Sequence, residues 1–133
     1  LNSYWIALHH SSISLPEELT KEEFKNFTEF MINFGKYLRC KKCGDHWLRI
    51  IPDLLKKNKI SLKTRGQMVK FVFRMHNIWN EHLGKRRFTF EEFKEKYQYN
   101  NDIMDSEDEK IIIDEIPEFD KCDCEPYLIS RRV

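Results

Sequence analysis

The sequence predicts an all-α protein: a four-helix bundle with a short fifth helix, followed by an irregular acidic C-terminal tail. Three observations carry that prediction. Apolar residues recur at three- and four-residue steps over most of the first hundred positions, the period of one helix face. Of the 37 Leu, Ile, Val and Phe residues only three are Val, and Gly and Pro number four each, poor material for a twisted sheet with tight turns. At 133 residues and 41% apolar composition the chain can build one core but not two, and it is too apolar to stay disordered.

A first helix is expected over residues 3–13, where Trp5, Leu8 and His9 take helical spacing before Leu15-Pro16-Glu17-Glu18 breaks the pattern. A second is expected from Thr20 to Leu38, striped by Phe24, Phe27, Met31, Phe34 and Leu38, with Thr20 and Glu23 placed as a capping box. The third, 41–57, puts Trp47, Ile50, Ile51, Leu54 and Leu55 on one side and is expected to bend or break at Pro52. The fourth, Lys63 to Leu83, carries Met68, Phe71, Val72, Met75, Trp79 and Leu83 and stops at Gly84. Thr89 to Tyr97 makes the short fifth helix, with Phe90, Phe93 and Tyr97 on one face and Thr89 and Glu92 as a second capping box. The joints are short enough for antiparallel neighbours. Beyond Asn100 the periodicity is lost, and Ile111–Ile113 and Phe119 are too small to form a core. The expected organisation is therefore a helical domain, 1–100, and an acidic tail, 101–133.

The net charge of +1 is a cancellation: residues 1–99 carry 19 basic and 11 acidic side chains, residues 100–133 carry 4 and 11. The basic residues form dispersed clusters with no nucleic-acid-binding pattern, so no nucleic-acid partner is expected. No apolar run approaches the roughly 18 residues of a membrane span, and no signal-peptide pattern opens the chain. The first residue is Leu, which points to a fragment or a processed form.

The four cysteines form two close pairs, Cys40-Lys-Lys-Cys43 and Cys122-Asp-Cys124. Three chemistries compete for them. Four thiolates converging on zinc would make a helical adaptor, although Cys-x-Cys is tighter than the usual ligand gap. Structural links between residues so close in the chain would constrain little entropy. Redox exchange suits Cys-x-x-Cys at a helix start, where backbone N–H groups and the helix dipole stabilise a thiolate and Lys41 and Lys42 add positive charge. A thioredoxin fold would need a strand before the motif, and a helix is expected there. A helical bundle has no electron sink of its own, so redox chemistry demands a partner or a cofactor.

Three segments, Trp5-Ile-Ala-Leu-His9, Cys40-Lys-Lys-Cys43 followed by His46, and His76-Asn-Ile-Trp-Asn80 continuing to Leu83-Gly84-Lys85, occur in this order within about a hundred residues. Together they resemble the FAD-linked sulfhydryl oxidases of the Erv/ALR family, over residues 1–100. The resemblance implies a four-helix bundle with a short fifth helix, in agreement with the periodicity. It implies FAD contacts from Trp5, His9, Cys43, His46, His76, Asn77 and Asn80, with Lys85 near the phosphates and Tyr97 against adenine. Tyr97 stands thirteen positions after Gly84, where cellular members have Trp. The chain departs from the family at Leu1 and Asn2, where Gly and a basic residue are usual, and at Ser11, Ser12 and Ser14, where aromatic residues are frequent. It also lacks the second cysteine pair of cellular members. The absence of that pair, with Tyr97, resembles the viral branch.

The activity implied is oxidation of protein dithiols to disulfides, with electrons passing through the Cys40–Cys43 disulfide and FAD to dioxygen to give hydrogen peroxide. Cys40 would be the interchange cysteine and Cys43 the one beside the flavin. Cys122 and Cys124 would form a shuttle dithiol, on a tail long enough to reach across a small domain: 25 residues from Tyr97, roughly 25–30 Å as a flexible chain. A homodimer is implied as well. The compartment stays open between a virion or host cytoplasm and an oxidising space such as the mitochondrial intermembrane space or the endoplasmic reticulum.

Overall fold

The structure, a computed structural model, describes residues 2–100; Leu1 and residues 101–133, with Cys122 and Cys124, lie outside the described residues. Five α-helices account for most of what is described. Helix α1, Asn2–Ile13, turns Trp5, Leu8, His9 and Ser12 inward, the i, i+3, i+4, i+7 positions of one face. Helix α2, Lys21–Asn33, opens on Thr20, whose hydroxyl accepts the Glu23 N–H at 3.1 Å. Only this half of the expected capping box forms.

The stripe that predicts helix two through Leu38 is not one α-helix. It stops at Asn33, and a 3-10 turn, Phe34–Tyr37, takes its place. The cause is a close crossing with α3, Lys41–Asn58. A Cβ on Gly35 would stand 2.6 Å from Trp47 Cδ1, and one on Gly44 would stand 2.6 Å from the Gly35 carbonyl oxygen. Two backbones thus touch at the turn that leads into Cys40. Trp47 Nε1 donates to the Met31 carbonyl at 2.8 Å and pins α3 on α2. Helix α3 passes through Pro52 without a break. The intrahelical bond forfeited there is offset by burial of Ile50, Ile51, Leu54 and Leu55 around it.

Helix α4, Arg65–His82, is capped by Thr64 and Gln67 in a full capping box and ends at Gly84, whose φ of 70° is the left-handed conformation glycine adopts without strain. Helix α5, Phe90–Tyr97, has the Thr89–Glu92 capping box that its sequence predicts. Helix α1 packs on α4 and α2 on α3. The main core joins residues of α1 to α4, including Leu8, Met31, Trp47, Phe71 and Met75. A second, smaller cluster of Val69, Phe93, Tyr97 and Tyr99 seats α5 against α4. None of the described helices is long and apolar enough to cross a membrane.

Candidate active site

Where α1 crosses α4, two buried histidines meet. His9 Nε2 and His76 Nδ1 are 2.8 Å apart, and His9 Nδ1 is buried with no partner among the described residues. Burial pushes both rings toward the neutral form, His9 to a pKa of about 3 and His76 to about 2, with Lys96 adding to the effect on each. The tautomers follow from the orphaned atom. A buried unpaired lone pair costs less than a buried unpaired N–H, so His9 carries its proton on Nε2 and donates to His76 Nδ1. His76 therefore holds its own proton on Nε2.

His76 lies flat on Trp5, with ring centroids 4.6 Å apart and planes 8° from parallel. Trp5 in turn touches Trp47 at 5.1 Å and Trp79 at 5.8 Å. Rings therefore run without a gap from Trp47, one turn after Cys43, to His76. His76 lines a cavity of ≈ 620 Å³, within the size range of cofactor sites. Asn80, on the same face of α4, lines it one turn later. Lys85 and Arg86 from the loop after α4 add two cations, and Tyr97 from α5 adds an aromatic wall. Arg86 forks onto Glu92 with bonds of 3.0 and 2.7 Å, and this pairing, with the Thr89 N–H, holds the Glu92 carboxyl down to about 2.

Not every predicted contact reaches this cavity. Asn77 is buried and spends its amide on the loop: Nδ2 donates to the Phe88 carbonyl at 2.9 Å, and Oδ1 accepts the Phe88 N–H at 3.0 Å. It fixes the segment that carries Lys85. Trp5 and His9 stand behind His76 rather than on the wall. His46 is buried on α3 with its ring edge-on to His82, 6.2 Å away, and burial and His46 lower the pKa of His82.

Cys40 is the N-cap of α3, its Sγ accepting the Cys43 N–H at 3.2 Å. Both cysteines are buried. Cys43 carries its thiol there. Cys43 sits in the first turn of α3, where the helix dipole favours a thiolate.

The sequence profile of the Erv1 / Alr family matches residues 2–98, which holds every described residue of this site. The chain belongs to the Erv1/Alr family. Among its relatives, the rice FAD-linked sulfhydryl oxidase ERV1 is 26% identical over 84 residues, covering 63% of this chain and 41% of the relative. The FAD-linked sulfhydryl oxidase of African swine fever virus is 27% identical over 95 residues, covering 71% and 76%. The mitochondrial FAD-linked sulfhydryl oxidase erv1 of Schizosaccharomyces pombe is 28% identical over 94 residues, covering 71% and 50%. The chain thus spans under half of the rice relative and half of the yeast one.

The donor set fits the FAD that these relatives' names carry. A flat cofactor ring needs a planar wall with hydrogen-bond groups, which His76 and Asn80 supply; a pyrophosphate needs a cation, which Lys85 supplies; an adenine needs an aromatic face such as Tyr97. Sequence reasoning missed Asn2, Arg86, Phe88, Glu92, Glu95 and Lys96 on the wall. Arg86, next to Lys85, was the one of these that charge alone pointed to.

Proposed function

We propose that this Erv1/Alr chain is an FAD-dependent thiol oxidase that forms disulfides in protein substrates and delivers the electrons to dioxygen, giving hydrogen peroxide. The observation that carries the proposal is the cavity walled by His76, Asn80, Lys85 and Tyr97, in a chain whose residues 2–98 match the family. FAD, when bound, supplies the two-electron chemistry and the reaction with oxygen.

The chain's own residues do the rest. A substrate thiolate attacks the Cys40 sulfur of a Cys40–Cys43 disulfide; the new S–S bond joins substrate to Cys40, and Cys43 leaves as a thiolate stabilised by the α3 N-terminus. The second substrate thiol then attacks the mixed disulfide and releases the oxidised substrate. With FAD bound, His76, oriented by His9, would offer its Nε2–H to the cofactor ring and Asn80 its amide. Lys85 would neutralise phosphate, Tyr97 would cover adenine, and His46 would close the site behind Cys43. Asn77 acts through the Phe88 loop.

Residues 1–100 form the oxidase domain, and 101–133 an arm whose Cys122 and Cys124 shuttle electrons from substrate to Cys40. Opposite charge on arm and body supports their encounter. Exposed Ile6 on α1 and Phe30 on α2 support a helix-packed homodimer. The proposal is tested by purifying the full chain, recording its visible spectrum and following oxygen uptake with a dithiol. A flavin spectrum, with uptake lost in Cys40→Ser and Cys43→Ser, is expected; a colourless protein that consumes no oxygen overturns it.

A further inference from the structure

Helix α3 carries Cys40 at one end and Asn58 at the other, about 27 Å away at the α-helical rise. At the Asn58 end the α3–α4 connection and the start of α2 enclose a groove of ≈ 460 Å³. Leu19, Phe24 and Leu62 give it an apolar lining, and the exposed Lys21, Lys25, Lys59 and Lys63 stand around it. No acidic residue lines the groove. Among the described residues, none of the four lysines makes an ion pair or a side-chain hydrogen bond. The groove's two threonines are already engaged, Thr20 as the α2 cap and Thr28 on the Lys25 carbonyl. Next to Lys59, Ile60 is 86% exposed, more than any other exposed large apolar side chain described.

We propose that this end of the bundle binds the surface of an anionic phospholipid bilayer, with the four lysines on headgroup phosphates and Ile60 entering the headgroup–acyl boundary. Four ammonium groups that make no ion pair among the described residues, standing on an apolar floor, call for a ligand that is anionic and amphipathic at once. A membrane fits this better than a protein partner. Lysine is depleted from protein interfaces, and one protruding aliphatic residue is too little for a desolvated interface core. The bilayer boundary accepts single apolar side chains while lysine stems lie along it and their heads stay with the phosphates. The thiol site at the far end of α3 stays clear of such a surface, so the proposal does not depend on the oxidase activity.

The test is sedimentation of the full chain with phosphatidylcholine vesicles, with and without phosphatidylserine. Binding is expected only with phosphatidylserine and is expected to fall with salt. Each lysine contributes about fivefold to partitioning. The quadruple variant Lys21→Glu, Lys25→Glu, Lys59→Glu, Lys63→Glu should therefore lose more than about a hundredfold, with its helical circular dichroism and its dithiol turnover unchanged. Ile60→Ser should weaken binding several-fold and keep the salt dependence. A triple variant of the other basic cluster, Lys36→Glu, Lys41→Glu, Lys42→Glu, should still bind. Equal binding to both vesicle types, undiminished binding of the quadruple variant, or retention of a polyglutamate peptide without vesicle binding would each overturn the proposal.

Discussion

His9 of α1 and His76 of α4 are joined ring to ring, Nε2 to Nδ1 at 2.8 Å, while His76 lies flat on Trp5 of the same α1. The bond fixes which His76 nitrogen is protonated, and the stack fixes the plane of the ring. Together they turn a helix-packing contact into a pre-set donor on the cavity wall. His9 is thus a positioning residue for His76. His9→Phe keeps the bulk of the ring and removes the bond. It should loosen flavin binding about tenfold, read as flavin lost on dialysis, and His9→Gln should recover part of the loss by donating to Nδ1 again.

The same pair sets a pH dependence. Both imidazoles have folded-state pKa values far below the ordinary 6.5, because burial opposes their charge. Between about pH 3 and 6.5 the unfolded chain binds more protons than the folded one, so this stability is complete above pH 6.5 and is lost as pH falls. The slope reaches about 1.4 kcal/mol per pH unit for each ring. Urea midpoints measured from pH 7 to pH 4.5 should fall steadily, and His9→Phe should flatten the curve. A parent curve level through this window would contradict the buried neutral pair.

Asn77 holds the Phe88 backbone with both ends of its amide. Asn77→Ala should cost about 2–3 kcal/mol, two hydrogen bonds plus the burden of leaving Phe88 N–H and C=O unpaired. Asn77→Asp keeps the acceptor but buries a carboxylate against the Phe88 carbonyl, so at least as large a loss is expected. If Asn77 instead acted directly on the cofactor, both variants would weaken flavin binding while leaving the thermal midpoint in place.

At the crossing of the 3-10 turn with α3 the two glycines differ. A methyl group at Gly44 meets the Gly35 carbonyl, which is backbone, whereas one at Gly35 meets the Trp47 and Leu48 side chains. Gly44→Ala must part the two backbones and should cost about 1–3 kcal/mol, or more than about 4 °C in Tm. It should also slow dithiol turnover, because the crossing sets the start of the helix that carries Cys43. Gly35→Ala must displace the buried Trp47 ring, which its bond to the Met31 carbonyl pins, and should cost a similar amount; a Gly44→Ala protein with the parent's Tm and turnover would show that the crossing is not tight.

Replacing Cys122 and Cys124 by Ser should spare turnover of a small dithiol, which can reach Cys40 directly, and slow turnover of a protein dithiol at least tenfold. Equal loss on both substrates, measured by oxygen uptake, would remove the shuttle role from the tail.

What was legible in the sequence is what periodicity encodes. The stripes of α3 and α4 and the Thr89–Glu92 box depend on residues within one or two turns of each other, and they appear where expected. The stop of α2 at Asn33 was not legible, because it is set by the contact of Gly35 with Trp47, twelve positions on and in another helix. The cavity wall divides the same way. His76 and Asn80 share a helix face and could be paired from spacing. Glu95 and Lys96 join them only because the Asn77–Phe88 clamp and the Val69–Phe93 packing fold α5 back on α4. Asn77, placed among the cofactor contacts by resemblance, holds the Phe88 backbone with both ends of its amide.

Helix α5 ends on Gln98 at φ 52°, the one non-glycine residue with positive φ among those described. The turn is closed by the Tyr99 N–H on the Lys94 carbonyl at 2.9 Å, the pattern that normally places glycine at this position. A side chain with a Cβ pays about 1 kcal/mol to sit there. Gln98 is exposed, so its side chain gives nothing back by burial. Gln98→Gly should therefore stabilise the protein by up to about 1 kcal/mol, less what glycine adds to the entropy of the unfolded chain. Because Tyr97 and Tyr99 on either side of it are buried in the cluster that seats α5, the gain should also tighten the Tyr97 wall and slow flavin loss. Tm and the rate of flavin release measured on the same preparation check this; a lower Tm in Gln98→Gly would mean that the left-handed turn is not the resting conformation of the α5 end.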